Sequence, residues 1–303
     1  MNAAVARFGA KRRVWILLAP ALVALTLFYF VPIAQSALYS LFDLRFTLNV
    51  GDARFLGAGN YVRALTSPVL WRAAAFTVTF AVVVVALDLA AGMVLALATY
   101  WVDKRFRTIL RVLIIIPWAI PNVIQASIWR WLFDSDVGLI GDILVRVGVA
   151  ASPPLFLVES ELAALTIVIT YVWKGAAISA IFCMAALATV PKEIVESAWI
   201  DGAGPLRRFV SVTLPMMIPV LLVALIFRSR DALRVFDVVY SLTGGGPGGS
   251  TETLSTLTYK TYFSFSQYGL GSAYAILSFL LIFSVATIYL LRLRREIHDP
   301  ESL

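Results

Sequence analysis

Hydrophobic positions along this chain do not alternate at period two. They run in long blocks separated by short polar stretches. Six blocks stand out, at residues 14–33, 73–99, 109–132, 162–187, 214–234 and 270–291. Each is long enough, at 1.5 Å per residue, to cross a hydrocarbon layer of ~30 Å as a helix. Helices are required because lipid offers the backbone no hydrogen-bond partner. The expected fold is therefore all-α: a polytopic membrane protein with six transmembrane helices. The first block has a basic start, as a signal peptide has, but ~20 apolar residues exceed the 7–15 of a signal core and no small-residue cleavage pattern follows. It reads as an uncleaved first span.

Composition agrees with lipid as the solvent. Apolar residues make up 60% of 303 and charged residues 14%, against about 25% charged in soluble domains. Mean hydropathy is +0.87. The net charge of +7 is explained by where the cations fall. Arg7, Lys11, Arg12 and Arg13 precede span one. Lys104, Arg105, Arg107 and Arg111 follow span two, Lys192, Arg207 and Arg208 follow span four, and Arg292, Arg294 and Arg295 follow span six. Two of the three intervening loops carry Asp134, Asp136, Asp142, Glu159 and Glu161 against Arg146, and Asp237 and Glu252 against Lys260. Cations on alternate loops place both termini in the cytoplasm. The basic balance is a topology signal and not a nucleic-acid footprint.

Prolines lie in or beside several spans, at Pro20, Pro32, Pro117, Pro121, Pro215 and Pro219. Each removes a helical hydrogen bond, and the Pro117/Pro121 pair is expected to bend span three. Catalytic chemistry has little to work with. Cys183 is the single cysteine and sits in an apolar run; His298 is the single histidine and sits in a charged tail. No metal-ligand spacing is present, and no G-x-x-x-x-G-K-[ST] phosphate loop, so the chain is not expected to hydrolyse ATP or to carry a cofactor.

Charges inside the spans are costly and mark either a wet pathway or an internal ion-pair network. They are Asp88 in span two, Lys174 in span four, and Arg228, Arg230, Asp231 and Arg234 in span five. Arg228, Asp231 and Arg234 recur every three residues and share a stripe. Arg228–Asp231 and Asp231–Arg234 pairs are both possible, and the stripe is net positive. It reads as a polar pathway lining, or as packing ion pairs with Arg234 reaching the interface. Asp88 reads as structural, paired with a neighbouring helix. Tyr171 and Trp173 offer aromatic faces to a sugar ring, or serve packing. The candidate pathway set is Tyr171, Trp173, Lys174, Arg228, Asp231, Arg234 and Asp237. After span five, Gly244-Gly245-Gly246-Pro247 reads as a mobile exposed turn.

The loop between spans four and five, 191–215, is too long for a connector. Ile194, Val195, Ala198 and Trp199 lie at helical spacing, then Gly202-Ala203-Gly204-Pro205 makes a sharp turn, and a short amphipathic piece leads into Leu214-Pro215. The expectation is a helix–turn–helix at the membrane edge, serving a partner or packing on its own spans. Here the chain resembles a known family. Glu196-Ser197-Ala198, three residues, Gly202, nine residues and Val212-Thr213-Leu214-Pro215 follow the EAA loop of ABC-importer permeases. Ser197 stands where that pattern has Ala and Val212 where it has Ile. Phe55-Leu56-Gly57 with Asn60-Tyr61, Pro117-Trp118-Ala119-Ile120-Pro121, Tyr171-Val172-Trp173-Lys174, Phe236-Asp237, Leu242-Thr243 with the glycines and Pro247, Thr251, and Gly271-Ser272-Ala273 resemble the maltose-type and glycerol-phosphate-type carbohydrate branch.

The resemblance implies an ABC importer type I permease fold and several partners. These are a second homologous permease, two ATPase subunits that bind ATP and Mg, an extracytoplasmic solute-binding protein, and lipid. It implies a prokaryotic inner membrane. Glu196, Ser197, Ala198, Asp201, Gly202, Leu214 and Pro215 would form the ATPase-coupling loop, and the glycine run after span five would face the binding protein. The implied cargo is a sugar, oligosaccharide or polyol, with glycerol-3-phosphate or a glycerophosphodiester as the alternative. A secondary transporter with Asp88 or Asp231 as proton site is the rival of another class. The expected outline is a cytoplasmic segment 1–13, a first span and outer loop 14–68, a core 69–291 and a tail 292–303.

Overall fold

The computed structural model describes residue 15 and residues 17–45 and 53–298. The basic segment 1–13, the start of span one at Val14 and the last residues 299–303 lie outside the described residues. In chain order the helices are α1 (Leu17–Tyr39), α2 (Gly59–Leu65), α3 (Pro68–Trp101), α4 (Lys104–Ala119), α5 (Asn122–Leu132), α6 (Leu139–Arg146), α7 (Ser160–Ala188), α8 (Lys192–Ile200), α9 (Leu214–Leu233), α10 (Asp237–Leu242), α11 (Leu254–Tyr259) and α12 (Tyr268–His298). A two-stranded antiparallel ribbon pairs β1 (Phe42–Asp43) with β2 (Arg54–Phe55), Phe42 opposite Phe55. Among the described residues five helices are long and apolar enough to cross a membrane, and α4 with α5, bent by 92°, give a sixth when the pair is counted as one span. The short helices α2, α6 and α11 fall in segments whose hydropathy gives no span, whereas α10 closes the candidate stretch Pro205–Leu242.

Proline chemistry explains the irregular turns. Ile120 precedes Pro121 and is extended (φ −74°, ψ 128°), as the clash with a following proline ring demands. That residue is the hinge of the bent span. Two of the π turns, Thr26–Phe30 and Phe209–Thr213, end just before Pro32 and Pro215. Proline supplies no N–H to the carbonyl four residues back, and a wider turn relieves the crowding it causes.

The described residues pack as two units, one of those within 1–67 with 258–277, the other of those within 68–257 with 278–298. In the first, Asn60 is buried and its Nδ2 donates to the Ser40 and Phe42 carbonyls, both at 2.9 Å. Gly269 donates to the Leu44 carbonyl at 3.2 Å. A Cβ on Gly269 would strike the Phe42 carbonyl. Residues 258–277 thus join the first unit. In the second unit α3 and α7 pack along their lengths. Gly92 permits this, since a Cβ there would come within 2.6 Å of Ser179. Lipid is as apolar as a leucine side chain, so close approach of small residues, and not apolar transfer, holds such helices together. Phe80, Val84, Ile167, Ala232, Val239 and Leu242 fill the centre, and buried Thr77 accepts the Leu254 N–H at 3.0 Å.

The glycine-rich turn after α10 is not the loose turn expected. Thr251, fully buried, donates to the Gly246 carbonyl at 2.6 Å and meets Thr243 Oγ1 at 2.8 Å. Gly244, Gly245, Gly248 and Gly249 take positive φ. Threonine hydroxyls knit a backbone path that only glycines follow without strain.

Candidate functional site

One face of α7 carries Tyr171, Lys174, Gly175 and Ile178, spaced i, i+3, i+4 and i+7, which is a single stripe of a 3.6-residue helix. Opposite it stand Arg228, Asp231 and Arg234 of α9 and Val235 to Val238 at the start of α10. Trp118, Asn122 and Gln125 close the third side from the broken span. Together they enclose a cavity of about 460 Å³.

Its charges are largely matched from within. Asp88 is fully buried on α3, and Arg228 donates to Asp88 Oδ2 through Nε at 3.0 Å and also through Nη2. The Arg228 guanidinium also lies over the Tyr171 ring, 5.4 Å from its centroid, a cation–π contact. Gly175 makes this possible: a Cβ there would occupy the space of the Arg228 and Asp88 head groups. Asp231 pairs with Arg230 at 3.0 Å and more distantly with Arg228 at 4.0 Å. The sequence allowed an Asp231–Arg234 pair, but among the described residues Asp231 turns to Arg230, and no ion pair to Arg234 is formed. Asp88, read as pairing across helices, does so.

Lys174 serves the bend. Its Nζ donates to the Ile120 carbonyl at 2.6 Å and to Asn122 Oδ1 at 2.5 Å, and Asn122 Nδ2 passes the chain to Asp237 Oδ2 at 2.9 Å. The Pro121 break leaves the Ile120 carbonyl without a helical donor, and an ammonium with three donors satisfies it. Gln125 likewise donates to the Thr170 carbonyl at 2.5 Å.

The structure therefore brings together Tyr171, Lys174, Arg228, Asp231, Arg234 and Asp237. It does not bring Trp173, which points off the stripe and meets Trp129 edge-on at 5.7 Å, because two residues along a helix turn a side chain through about 200°. Trp118, Asn122, Gln125 and Phe236 line the cavity although no charge drew attention to them. Their adjacency to the Pro117/Pro121 bend and to Asp237 was the available signal. Among the described residues no group of three metal-ligating side chains lies close enough to hold an ion.

The elbow 191–215 has the form its residues suggest. α8 ends in a Schellman motif: Gly202 N–H bonds the Trp199 carbonyl and Ala203 N–H the Ala198 carbonyl, each at 3.0 Å, with Gly202 at φ +80°. Nothing lies within 4 Å of a Cβ on Gly202, so backbone conformation alone selects glycine there. Ser197 turns its hydroxyl onto the Ile194 carbonyl at 2.9 Å, which conceals its polarity. Glu196 and Asp201 are exposed, and so are Trp199 at 66%, Ile200 at 81% and Leu206 at 75%. Leu214 and Pro215 open α9.

Comparison with known proteins fits this arrangement. Residues 88–297 match the family described as binding-protein-dependent transport system inner membrane component. The chain belongs to this family. Relatives across most of the chain include the trehalose/maltose transport system permease protein MalF of Thermococcus litoralis, 38% identical, covering 93% of this chain and 94% of the relative. The sulfoquinovosyl glycerol transport system permease protein SmoG of Agrobacterium fabrum is 36% identical, covering 93% and 90%. A chain of the crystal structure of a bacterial ABC transporter involved in the import of the acidic polysaccharide alginate superposes with a TM-score of 0.81 at 22% identity, covering 95% of this inner membrane component and 98% of that chain. This inner membrane component therefore has the fold of an ABC-importer permease and the function of a transport subunit.

Proposed function

We propose that this inner membrane component supplies one half of the solute pathway in an ATP-driven importer, and that its cargo is a neutral sugar. The reading rests on the cavity beside α7. Trp118 and Phe236 offer flat apolar faces, and Asn122, Lys174 and the α9 side chains offer hydrogen bonds. Arg228 gives its Nε and Nη2 fork to Asp88 and turns Nη1 toward Asp231 at 4.0 Å, so its charge is already matched by carboxylates and not held open for a phosphate. Sugars bind where aromatic faces and hydrogen-bonding groups converge without a large unmatched charge. The family relation to trehalose/maltose and sulfoquinovosyl glycerol permeases supports the carbohydrate class.

The elbow would seat in an ATPase subunit. Trp199, Ile200 and Leu206, exposed beside Glu196 and Asp201, would make the apolar and charged contacts. A homologous permease would provide the other half, two ATPases would bind ATP and Mg, and an extracytoplasmic binding protein would deliver the sugar, with both termini in the cytoplasm. Closure of the ATPases would move the elbow and, through the π turn and Pro215, tilt α9 against α7.

A second reading has one observation behind it. Among the described residues Arg234 lines the cavity without an ion-pair partner, which suits an anionic solute such as glycerol-3-phosphate, a glycerophosphodiester or a sulfonated sugar. Uptake by the reconstituted transporter separates them. With a neutral sugar as cargo, Arg234→Gln keeps uptake within a fewfold, and phosphodiesters do not compete. Loss of uptake in Arg234→Gln together with competition by phosphodiesters would refute the neutral-sugar reading.

A further inference from the structure

A second cavity, about 450 Å³, lies at the elbow end of the second unit. It is bounded by the end of α3, the start of α4, the end of α7 and the elbow. Its charged lining is Arg107, Arg111, Lys192 and Arg208 against Glu196 alone, four cations to one anion. The Nε atoms of both Arg107 and Arg208 are shut off from solvent and have no hydrogen-bond partner among the described residues. Arg107 is held in place by its own Nη2, which donates to the Tyr100 and Val102 carbonyls at 3.1 and 3.3 Å. A buried charged donor left unmade is costly, and both arginines stand in the lining of one cavity, where an anion would offset that cost. Guanidinium groups in fixed orientation suit the oxygens of a phosphate. The apolar wall includes Leu97, Leu187 and Met184, with Tyr100 and Trp101 at the helix end, and Trp101 is 78% exposed. Aromatic residues at a span's end mark the head-group level, and basic pockets between spans take lipid head groups there.

We propose that this cavity binds the phosphate of an anionic phospholipid, with Arg107 and Arg208 as donors, and so ties lipid charge to the position of the elbow. Its lipid-level apolar wall distinguishes it from a site for a soluble ion. The site would stiffen the contact between the α3 end and Arg208, which lies on the elbow's second arm.

The test uses the intact transporter in nanodiscs and detergent. Native mass spectrometry of the wild type with equal phosphatidylglycerol and phosphatidylcholine is expected to retain the former selectively. A photoactivatable phosphatidylglycerol head group is expected to label peptides within 96–111 and 184–213, which needs no variant to fold. Arg107→Gln with Arg208→Gln is expected to weaken phosphatidylglycerol retention by about thirtyfold, at roughly fivefold per cation, and Arg→Lys at both sites to restore part of it. Equal retention of the two lipids, labelling elsewhere, or unchanged binding by the double variant would overturn the proposal. Displacement of the lipid by millimolar inorganic phosphate or glycerol phosphate would reassign the site to a soluble anion. Crosslinks from position 208 to an ATPase subunit with no phospholipid retained would assign it to that protein; either result overturns the lipid site.

Discussion

The Asp88–Arg228 pair gives the sharpest test of how the membrane core is held. Asp88 has no exposed surface and Arg228 is 7% exposed, and they link α3 to α9 across the face of α7. Asp88→Leu is nearly isosteric, so it opens no cavity, but it strands a guanidinium that Gly175 has been kept small to admit. Removing one partner of a buried pair costs about 3–5 kcal/mol, while replacing both by apolar groups is often neutral or stabilising. At roughly 2–4 °C per kcal/mol, Asp88→Leu is expected to lower Tm by on the order of 10 °C. Asp88→Leu with Arg228→Met, whose unbranched chain fills the same path, should recover most of that. Thermal denaturation of each purified variant, followed by tryptophan fluorescence in one detergent, reads the cycle. Uptake by the double variant then separates packing from pathway: recovered Tm with lost uptake means that Arg228 also serves the solute. A melting curve for Asp88→Leu that overlays the wild type, or a double variant less stable than the single, would refute the reasoning.

Three further outcomes are expected. Gly202→Ala meets open space but must hold φ at +80°, a left-handed conformation costing a residue with Cβ about 1–2 kcal/mol; ATP-dependent uptake should fall while Tm moves little, and equal uptake would argue against a shaped elbow. Lys174→Met strips the donor from the Ile120 carbonyl and Asn122, so hydrogen exchange at residues 117–125 should rise, with wild-type protection there contradicting the role given to Lys174. Asp134, outside the spans, accepts the Asp136 and Val137 N–H groups at 2.9 and 3.1 Å, which lowers its pKa from 3.8. A carboxylate depressed in the folded state contributes above its unfolded pKa and loses that contribution as pH falls through the folded value. Protection of those two amides should therefore be flat through neutral pH and vanish only below the ordinary carboxylate range, and a midpoint at or above the ordinary value would contradict the geometry.

What the residues alone determined was set by solvent and by local backbone chemistry. Twenty apolar residues in a row can only be a span, Pro121 can only break one, and a glycine followed by a proline at 204–205 can only turn. The six spans, the bend at Ile120 and the elbow around Gly202 were therefore legible, as was the family from the spacing of Glu196, Gly202 and Pro215. The partners of charges were not. Asp231 had cations on either side at the right spacing, and only the rotation of α9 decided for Arg230 and left Arg234 to the cavity. Lys174 lines the cavity, but its partner there, a carbonyl freed by a proline more than fifty residues earlier, was not legible. Residues 258–277 hug the first unit through Gly269, a contact that no local pattern encodes. Helix periodicity says which side chains share a face, but which neighbour that face meets depends on contacts far apart in sequence, and these exist only once the helices have packed.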